Sequence, residues 1–591
     1  MYILFTNRTM TAPIHNCYSD CKEAPMQTHT PKIRPALMYT LVAVATCSVA
    51  AVTITIGGCP DTPQPDTPQP DPPQPMEKAV LGTDKFSLEF RDDVSLATMD
   101  YGGANLTLME FSANIANTGS GDSWDFPESV TAENLGSGTK RVKFVYGDGK
   151  HSVVQIREHS RWLEFELVGV QGDCGEIRVF GPIFQVAKAK KYALASFCDL
   201  DNGLVAGLIP MTPETRTDNY FEYARSIQML YTLTAPNIPT PKVVAHRFGF
   251  FVCERGDFAA IVREIEASAG YPPNGRANPE NDADYIFLLS ANGAASQQII
   301  EMCRSLNIRS ILLGISVWHD WCDTTEPYAV KPAGRRLISD LQAAGLYVGC
   351  HSFVHKVCAT GYYATHPEHS QHVHPFTKNN RKNFKWDDDL PEISAIAYAQ
   401  TIKQLGVSWV YLDGAELLWS DETKETNAHN WYLNARMTSA VAKELRASGV
   451  AIKVLQTSSA WSSGYHYITR AGQTDYWDDP AGYFDNPKYK SPTDSINIRA
   501  RDFAELESRN VTPDLGWFGR VHVVTSPIGS PLTFADRYAT LEEWKYLCEK
   551  SLEHDAPIGI RTTYDDWVND PLRVQIENLV TNTIAKRASE K

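Results

Sequence analysis

No CxxC pair, no HExxH motif, no glycine-rich nucleotide loop and no sustained run of lysine or arginine occurs in this chain. The first two absences remove zinc ribbons, thioredoxin-type redox motifs and zincin-type metal sites, and the third argues against a doubly wound dinucleotide fold. The fourth, with a formal net charge of -15, removes nucleic acid as a partner, because a phosphate-binding surface needs clustered cations. A neutral or uncharged substrate fits such a surface better, and no cofactor is implied. Although there are 12 cysteines, they are scattered. Cys253, Cys303, Cys350 and Cys548 sit in apolar stretches and read as buried free thiols, with one or two disulfides left for the others.

The chain has 591 residues, of which 43% are hydrophobic, enough for two globular units with large cores. Residues 38–58 form one apolar run long enough to cross a bilayer, preceded by Lys32 and Arg34. It ends in Ile56-Gly57-Gly58-Cys59, which resembles the bacterial lipobox, where small residues precede a cysteine that is lipidated and becomes the mature N-terminus. Lipidation at Cys59 is therefore expected, with an uncleaved single-span anchor as the alternative. Either reading attaches the chain to a bacterial cell envelope, periplasmic or at the outer surface, and Met26 gives a leader of ordinary length. Residues 60–75, PDTPQPDTPQPDPPQP, cannot fold into helix or sheet and favour extended polyproline II. At about 3.1 Å per residue this spacer reaches roughly 50 Å.

From Leu81 to about Val244 short alternating segments such as FSLEF, RVKFVYG, SVVQIRE and RWLEFELVGV are divided by Gly, Asp and Asn. This is the pattern of an antiparallel β-sandwich. FAAIVREIEASAG, Phe258–Gly270, is a connecting helix by its periodicity. After Asn278 strands alternate with helices: strands are expected at 284–291, 308–316, 345–353, 409–412, 451–458 and 474–479, in the segment TPDLGWFG, and at 557–564. Eight strands interleaved with helices describe a (β/α)8 TIM barrel. The chain is thus expected to be multidomain: a signal at 1–58, the lipidated cysteine and linker at 59–77, the sandwich with its connecting helix at 78–270, and the barrel at 271–591.

In such a barrel the chemistry sits where strands end. WVYLDGAEL presents Asp413 just after the fourth strand, with Glu416 in the same loop. Strand ends elsewhere offer Trp318, His319, Asp320 and Trp321 after the second strand and His351 and His355 at the third. Gln456 and Trp461 lie near the fifth, Asp475, Trp477, Asp478 and Asp479 at the sixth, Trp517 and Arg520 at the seventh, and Arg561, Tyr564 and Asp565 at the eighth. Carboxylates and tryptophans sharing one cleft suit a sugar site: aromatic faces stack on pyranose rings, and two carboxylates serve a glycosidic bond as nucleophile and proton donor. A retaining enzyme needs them roughly 5–5.5 Å apart.

The run GLYVGCHSF, the loop ATHPEH with Pro367, and SAIAYAQTIKQLGVSWVYLDG together resemble the glycoside hydrolase clan D barrel, families 27 and 36, the α-galactosidases and α-N-acetylgalactosaminidases. The resemblance implies that Asp413 is the nucleophile and that an acid/base aspartate stands at strand six. ITRAGQTDYWDDP supplies Arg470 and then Asp475, with Asp478 and Asp479 as alternates. The implied reaction is retaining hydrolysis of α-galactoside or α-N-acetylgalactosaminide linkages, with Trp318, Asp320, His351, Tyr411, Glu416, Arg470, Trp477, Trp517 and Arg561 around the sugar. The chain departs from the pattern at Tyr411, where the family carries a lysine, and in the histidines of the strand-three loop.

Two other functions share these residues. A barrel polysaccharide lyase uses a His or Tyr to take a proton from a uronic acid, which His351, His355, Tyr362 and Tyr363 could support. A non-catalytic glycan-binding lipoprotein needs neither carboxylate. The histidines His351, His355, His366, His369, His372 and His374 have no second ligand cluster, so no metal is expected. The leader reading predicts that the native protein purified from membranes begins at Cys59 with a lipid adduct in its N-terminal mass spectrum; a native chain beginning at Met1 overturns it.

Overall fold

The computed structural model describes residues between Val80 and Glu590, leaving out short breaks and the longer stretches 90–97, 117–123, 185–196, 233–245, 272–282, 374–380, 384–389, 414–429, 458–465, 476–522 and 526–539. The leader, Cys59 and the proline-rich spacer lie outside the described residues. Among the described residues no helix is long and apolar enough to cross a membrane.

The N-terminal part is built of antiparallel sheets, as the alternating segments require. The best-defined has seven strands: β1 (Ser129–Gly136), β2 (Thr139–Val145), β3 (His151–Glu158), β4 (Leu163–Gln171), β5 (Phe197–Asp199), β6 (Leu204–Pro210) and β7 (His246–Glu254), in the order β5-β6-β7-β4-β3-β2-β1. β3 shows why a period of two makes a strand: Ser152, Val154 and Ile156 are buried while their neighbours stay partly exposed. β6 is buried along its whole length, because α1 (Phe258–Ser268) covers its outer face with Phe258, Ile261, Val262 and Ile265. This helix is the connector expected at 258–270. On the other side Phe86, from a four-stranded sheet, meets Phe250 edge-on at 5.7 Å between ring centroids.

The C-terminal part is a parallel sheet. Its strands are β8 (Tyr285–Ser290), β9 (Ser310–Leu313), β10 (Tyr347–Ser352), β11 (Trp409–Leu412), β12 (Val454–Thr457), β13 (Arg470–Ala471), β14 (Thr474–Asp475), β15 (Val523–Thr525) and β16 (Ile558–Thr563). The order is β13-β12-β11-β10-β9-β8-β16-β15-β14, so neighbours in sequence are neighbours in space and the first strand also pairs with the last. α2 (Ser296–Ser305), α3 (Ile315–Trp318), α4 (Pro332–Ala343), α5 (Leu390–Leu405) and α6 (Asn430–Ala447) come between successive strands. The expected strand six is present as two short pieces, β13 and β14, and no ladder joins them among the described pairings, so a closed ring is not described. The expected strand in TPDLGWFG lies outside the described residues, and the strand pairing with β16 is β15, a β-branched run further along.

One face of the sheet carries Ile286, Leu288, Ile311, Leu313, Val348, Cys350, Val410 and Leu412 and packs on the helices, while Tyr285, Phe287, Leu312, Trp409, Tyr411 and Val454 form a separate core on the other. Tyr285 on β8 touches Trp409 on β11 at 5.3 Å between ring centroids. In a flat sheet strands three places apart lie about 14 Å from each other, so the sheet curls tightly around this inner face. His466, fully buried, ties the two parts together: Nε2 donates to the Pro210 carbonyl at 2.9 Å, Nδ1 lies 2.9 Å from Glu266 Oε1, and the ring stacks on Tyr271.

The four cysteines expected as free buried thiols are so, and burial raises the Cys253 and Cys303 thiols to about 12. Cys322 and Cys358 form a disulfide with Cα atoms 5.4 Å apart. The inner core also has no room at β10: a Cβ on Gly349 falls 2.4 Å from Trp409 Cδ2. Gly349→Ala is therefore expected to cost about 1–3 kcal/mol, read as a lower urea midpoint. Gly256→Ala, with no atom within 4 Å, serves as the neutral control. Equal midpoints for the two variants refute the tight fit.

Candidate functional site

The period of two that points Trp409 and Tyr411 inward on β11 carries on to Asp413, the first residue past the strand, whose amide donates to the Ser352 carbonyl of β10 at 2.9 Å. On β10 the same alternation brings Gly349, then His351, to the inner face. Asp413 and His351 meet there: His351 Nε2 lies 2.8 Å from Asp413 Oδ2, with the carboxylate 28% exposed and the imidazole only 2%. Tyr411 Oη donates to Asp413 Oδ1 at 3.4 Å. Both donors favour the ionised carboxylate.

The tautomer of His351 follows from its other side. The Ile315 amide, first of α3 and without a partner inside the helix, points at Nδ1 at 3.3 Å. An amide can only donate, so Nδ1 accepts and the proton sits on Nε2, facing Asp413. The ring packs among Phe287, Phe353 and Tyr411, each at 5.1 Å between centroids, and Trp321 meets Phe353 edge-on. Next to Trp321, Cys322 is bonded to Cys358, which fastens the loops that follow β9 and β10 to each other. Arg561, on β16 and mostly buried, holds its guanidinium 5.5 Å over the Phe287 ring.

Trp318 is fully buried and donates Nε1–H to the His351 carbonyl at 3.0 Å. Both ring nitrogens of His351 are engaged, Nδ1 by the Ile315 amide and Nε2 by Asp413. Tyr411 is 4% exposed and its hydroxyl serves Asp413. Asp320 is exposed beyond α3, where its amide donates to Ala329 and its carbonyl accepts from Asp323. Asp475 closes β14 and Arg470 opens β13, so both backbones lie in the sheet, while nothing is described of their side chains. Trp517 lies outside the described residues. Glu416, Trp477, Asp478 and Asp479 lie outside the described residues. Among the described residues no group of three or more His, Cys, Asp or Glu is placed to hold a metal.

His319, beside Trp318, was an expected strand-end residue whose burial the sequence did not signal. It lies between Trp318 and Tyr328, and neither ring nitrogen meets a hydrogen-bond partner of good geometry among the described residues. Burial, with Lys331 adding to it, pushes its pKa from 6.5 down to about 3, against smaller pulls from Asp323 and the Pro327 carbonyl.

No protein-family model matches the chain, and no curated protein matches it. Solved structures that resemble it are glycoside hydrolases. A family 31 sulfoquinovosidase from E. rectale, in complex with an aza-sugar inhibitor, aligns over 86% of this chain and 85% of its own at 8% identity and a TM-score of 0.52. The α-N-acetylgalactosaminidase of Bifidobacterium bifidum bound to GalNAc aligns over 85% and 93% at 12% identity and a TM-score of 0.49. A family 36 α-galactosidase of Geobacillus stearothermophilus with 1-deoxygalactonojirimycin aligns over 86% of each at 10% identity and a TM-score of 0.46. At these identities the likeness is one of fold, and only the first is close enough to argue from.

The buried neutral His319 gives a pH prediction. Between about 6.5 and 3 the unfolded chain binds a proton at this histidine that the folded chain refuses. Its contribution is thus whole above about 6.5 and is lost as pH falls, at up to about 1.4 kcal/mol per pH unit. His319→Phe is expected to flatten that part of the stability profile in urea melts between pH 4 and 7; an unchanged slope shows that His319 takes its proton in the fold.

Proposed function

We propose that this chain is a retaining glycoside hydrolase acting on α-linked sugars of the galactose or N-acetylgalactosamine type, with Asp413 as nucleophile. The observation that carries this reading is Asp413 itself: a part-exposed carboxylate at the end of an inner parallel strand, with a donor on each oxygen, in an aromatic surround. The fold likeness to a glycoside hydrolase supports it, as does a parallel sheet in which the first strand also pairs with the last. In this reading the first half-reaction transfers the glycosyl group to Asp413 while an acid at strand six, Asp475 before Asp478 or Asp479, protonates the leaving oxygen. Water then completes hydrolysis with the same carboxylate acting as base. The lipid-anchored envelope location at Cys59 belongs to the same proposal, placing a carbohydrate-cleaving domain at the end of the proline-rich spacer.

The lyase alternative is the weaker reading. It needs a side chain free to take a proton, whereas His351 Nδ1 is occupied by the Ile315 amide and burial raises the Tyr363 hydroxyl far above its ordinary range. Asp413→Gly is expected to lower turnover of 4-nitrophenyl α-D-galactopyranoside by roughly 10³-fold or more. Sodium azide should restore turnover with formation of the β-glycosyl azide. An Asp413→Gly chain as active as the parent defeats the nucleophile assignment, and ultraviolet absorbance of unsaturated uronates from acidic polysaccharides points to the lyase.

A further inference from the structure

The Cys322–Cys358 bond stands one residue from the wall of the site. Trp321, which precedes Cys322, meets two rings edge-on, Phe353 at 5.8 Å and His319 at 5.9 Å between centroids. Phe353 in turn stands edge-on to His351 at 5.1 Å, and His351 Nε2 holds Asp413. A line of contacts therefore runs from the sulfur bridge to the carboxylate. The two loops also meet through main chain, since a Cβ on Gly361 would fall 3.0 Å from both Cys358 Cβ and the Trp321 carbonyl oxygen. Only hydrogen fits there.

The two sulfurs differ in access. Cys322 is exposed, whereas Cys358 is 2% exposed. A thiolate attacks a disulfide sulfur and displaces the other one, so a thiol arriving from solvent reaches Cys322 and releases Cys358. Thr360 Oγ1 lies 3.4 Å from Cys358 Sγ. A bonded sulfur carries no hydrogen, so the hydroxyl is the donor, and it is in place to offset part of the cost of forming a thiolate in a buried position.

We propose that the Cys322–Cys358 disulfide is a thiol-addressable clamp on the catalytic pair: closed, it holds Trp321 and Phe353 against His351 and keeps Asp413 aligned, and opened by a dithiol it releases that wall and slows turnover. This rests on the reading of Asp413 as nucleophile. The co-reactant is a dithiol. Its first thiolate bonds to Cys322 Sγ as the S–S bond breaks and the electron pair leaves on Cys358 Sγ. Its second thiolate bonds to the first sulfur of the dithiol and expels Cys322. The dithiol ends as a disulfide, oxidised by two electrons, and the two cysteines take up the two protons that it gave to water.

The loop itself has other fastenings, so opening the clamp acts locally. At its base the Asp320 amide donates to the Ala329 carbonyl at 2.8 Å and the Lys331 amide to the Trp318 carbonyl at 2.9 Å. At its tip Asp323 Oδ1 accepts from the amides of Thr325 and Glu326 at 2.7 and 3.0 Å. Reduction touches neither. What it frees is the relation of Trp321 to Phe353, and a small misplacement at a reacting group costs rate more than it costs fold.

The test follows the kinetics of the intact chain under dithiothreitol and those of a Cys322→Ser/Cys358→Ala double variant. With 4-nitrophenyl α-D-galactopyranoside, reduction is expected to lower kcat about tenfold with KM within about threefold, and reoxidation to restore it. Peptide mass after alkylation should show Cys322 and Cys358 newly labelled. The double variant should match the reduced parent and gain no further response to dithiothreitol. In an Asp413→Gly chain there is no carboxylate to align, so reduction should leave the azide-rescued rate unchanged. A parental kcat after reduction of this bond overturns the proposal. So does an equal loss in the double variant on adding dithiothreitol, an azide-rescued rate that falls by the same factor, or a loss that only follows the unfolded fraction in urea melts. Each of these leaves the nucleophile assignment standing if Asp413→Gly alone is inactive and rescued. An active Asp413→Gly chain, or a parent chain that does not turn over the glycoside, removes both.

Discussion

Trp409 meets Tyr285 edge-on across three strand positions and stacks on Tyr347 of the neighbouring strand, while its indole N–H donates to Gln456 Oε1 on β12. Rings this large on one face force the sheet to curl until they touch, and the curl turns the ends of β8, β10, β11 and β16 towards a common centre. Gly349 is the complement of that ring: the strand between the two aromatic pairs has to give up its side chain for Trp409 to lie down. The positions two residues on from this packed layer, His351 and Tyr411, and then Asp413, inherit their inward direction from it. The constellation is placed by a core interaction in which none of its own chemistry takes part.

Order at the site is supplied mostly by main chain. The Ile315 amide fixes the tautomer of His351, the Ser352 carbonyl holds the Asp413 amide, and the His351 carbonyl takes the Trp318 indole. Such groups do not titrate and cannot rotate away, so the His351–Asp413 pair keeps its geometry with little entropy left to lose on binding. The Cys322–Cys358 bond acts on the same region from outside, joining the two loops that lead to Trp321 and away from Phe353.

Much of this was readable from residues alone, and the failures have physical causes. Alternation of buried and exposed positions made the N-terminal strands legible, and apolar runs ending in polar residues located β8 to β12 and β16 within three residues at either end. A three-residue strand between polar segments, such as β15, leaves almost no periodic signal. A strand-end tryptophan such as Trp318 has the same sequence signature whether its ring faces a cleft or the core. Only the tertiary fold decides, and here α3 turns it under the sheet, where its N–H finds a carbonyl. The unpartnered burial of His319 and the pairing of Cys322 with Cys358 across 36 residues were equally invisible, since both depend on how two loops pack.

The substitution of Tyr411 for the lysine of the resembled family fits this arrangement. A lysine at that position sets a permanent cation beside Asp413 and can also grip a sugar hydroxyl. Tyrosine keeps a donor on Oδ1 but removes the cation, and its ring fills the inner core against Phe287 and His351. Two of the contacts that orient the carboxylate thus come from uncharged groups, the Tyr411 hydroxyl and the Nε2–H of His351. On the proposal that Asp413 is a nucleophile, an uncharged donor orients the carboxylate without the electrostatic stabilisation that a permanent cation gives its free form, so exchanging lysine for tyrosine at this position is compatible with keeping the reacting group while altering what surrounds it.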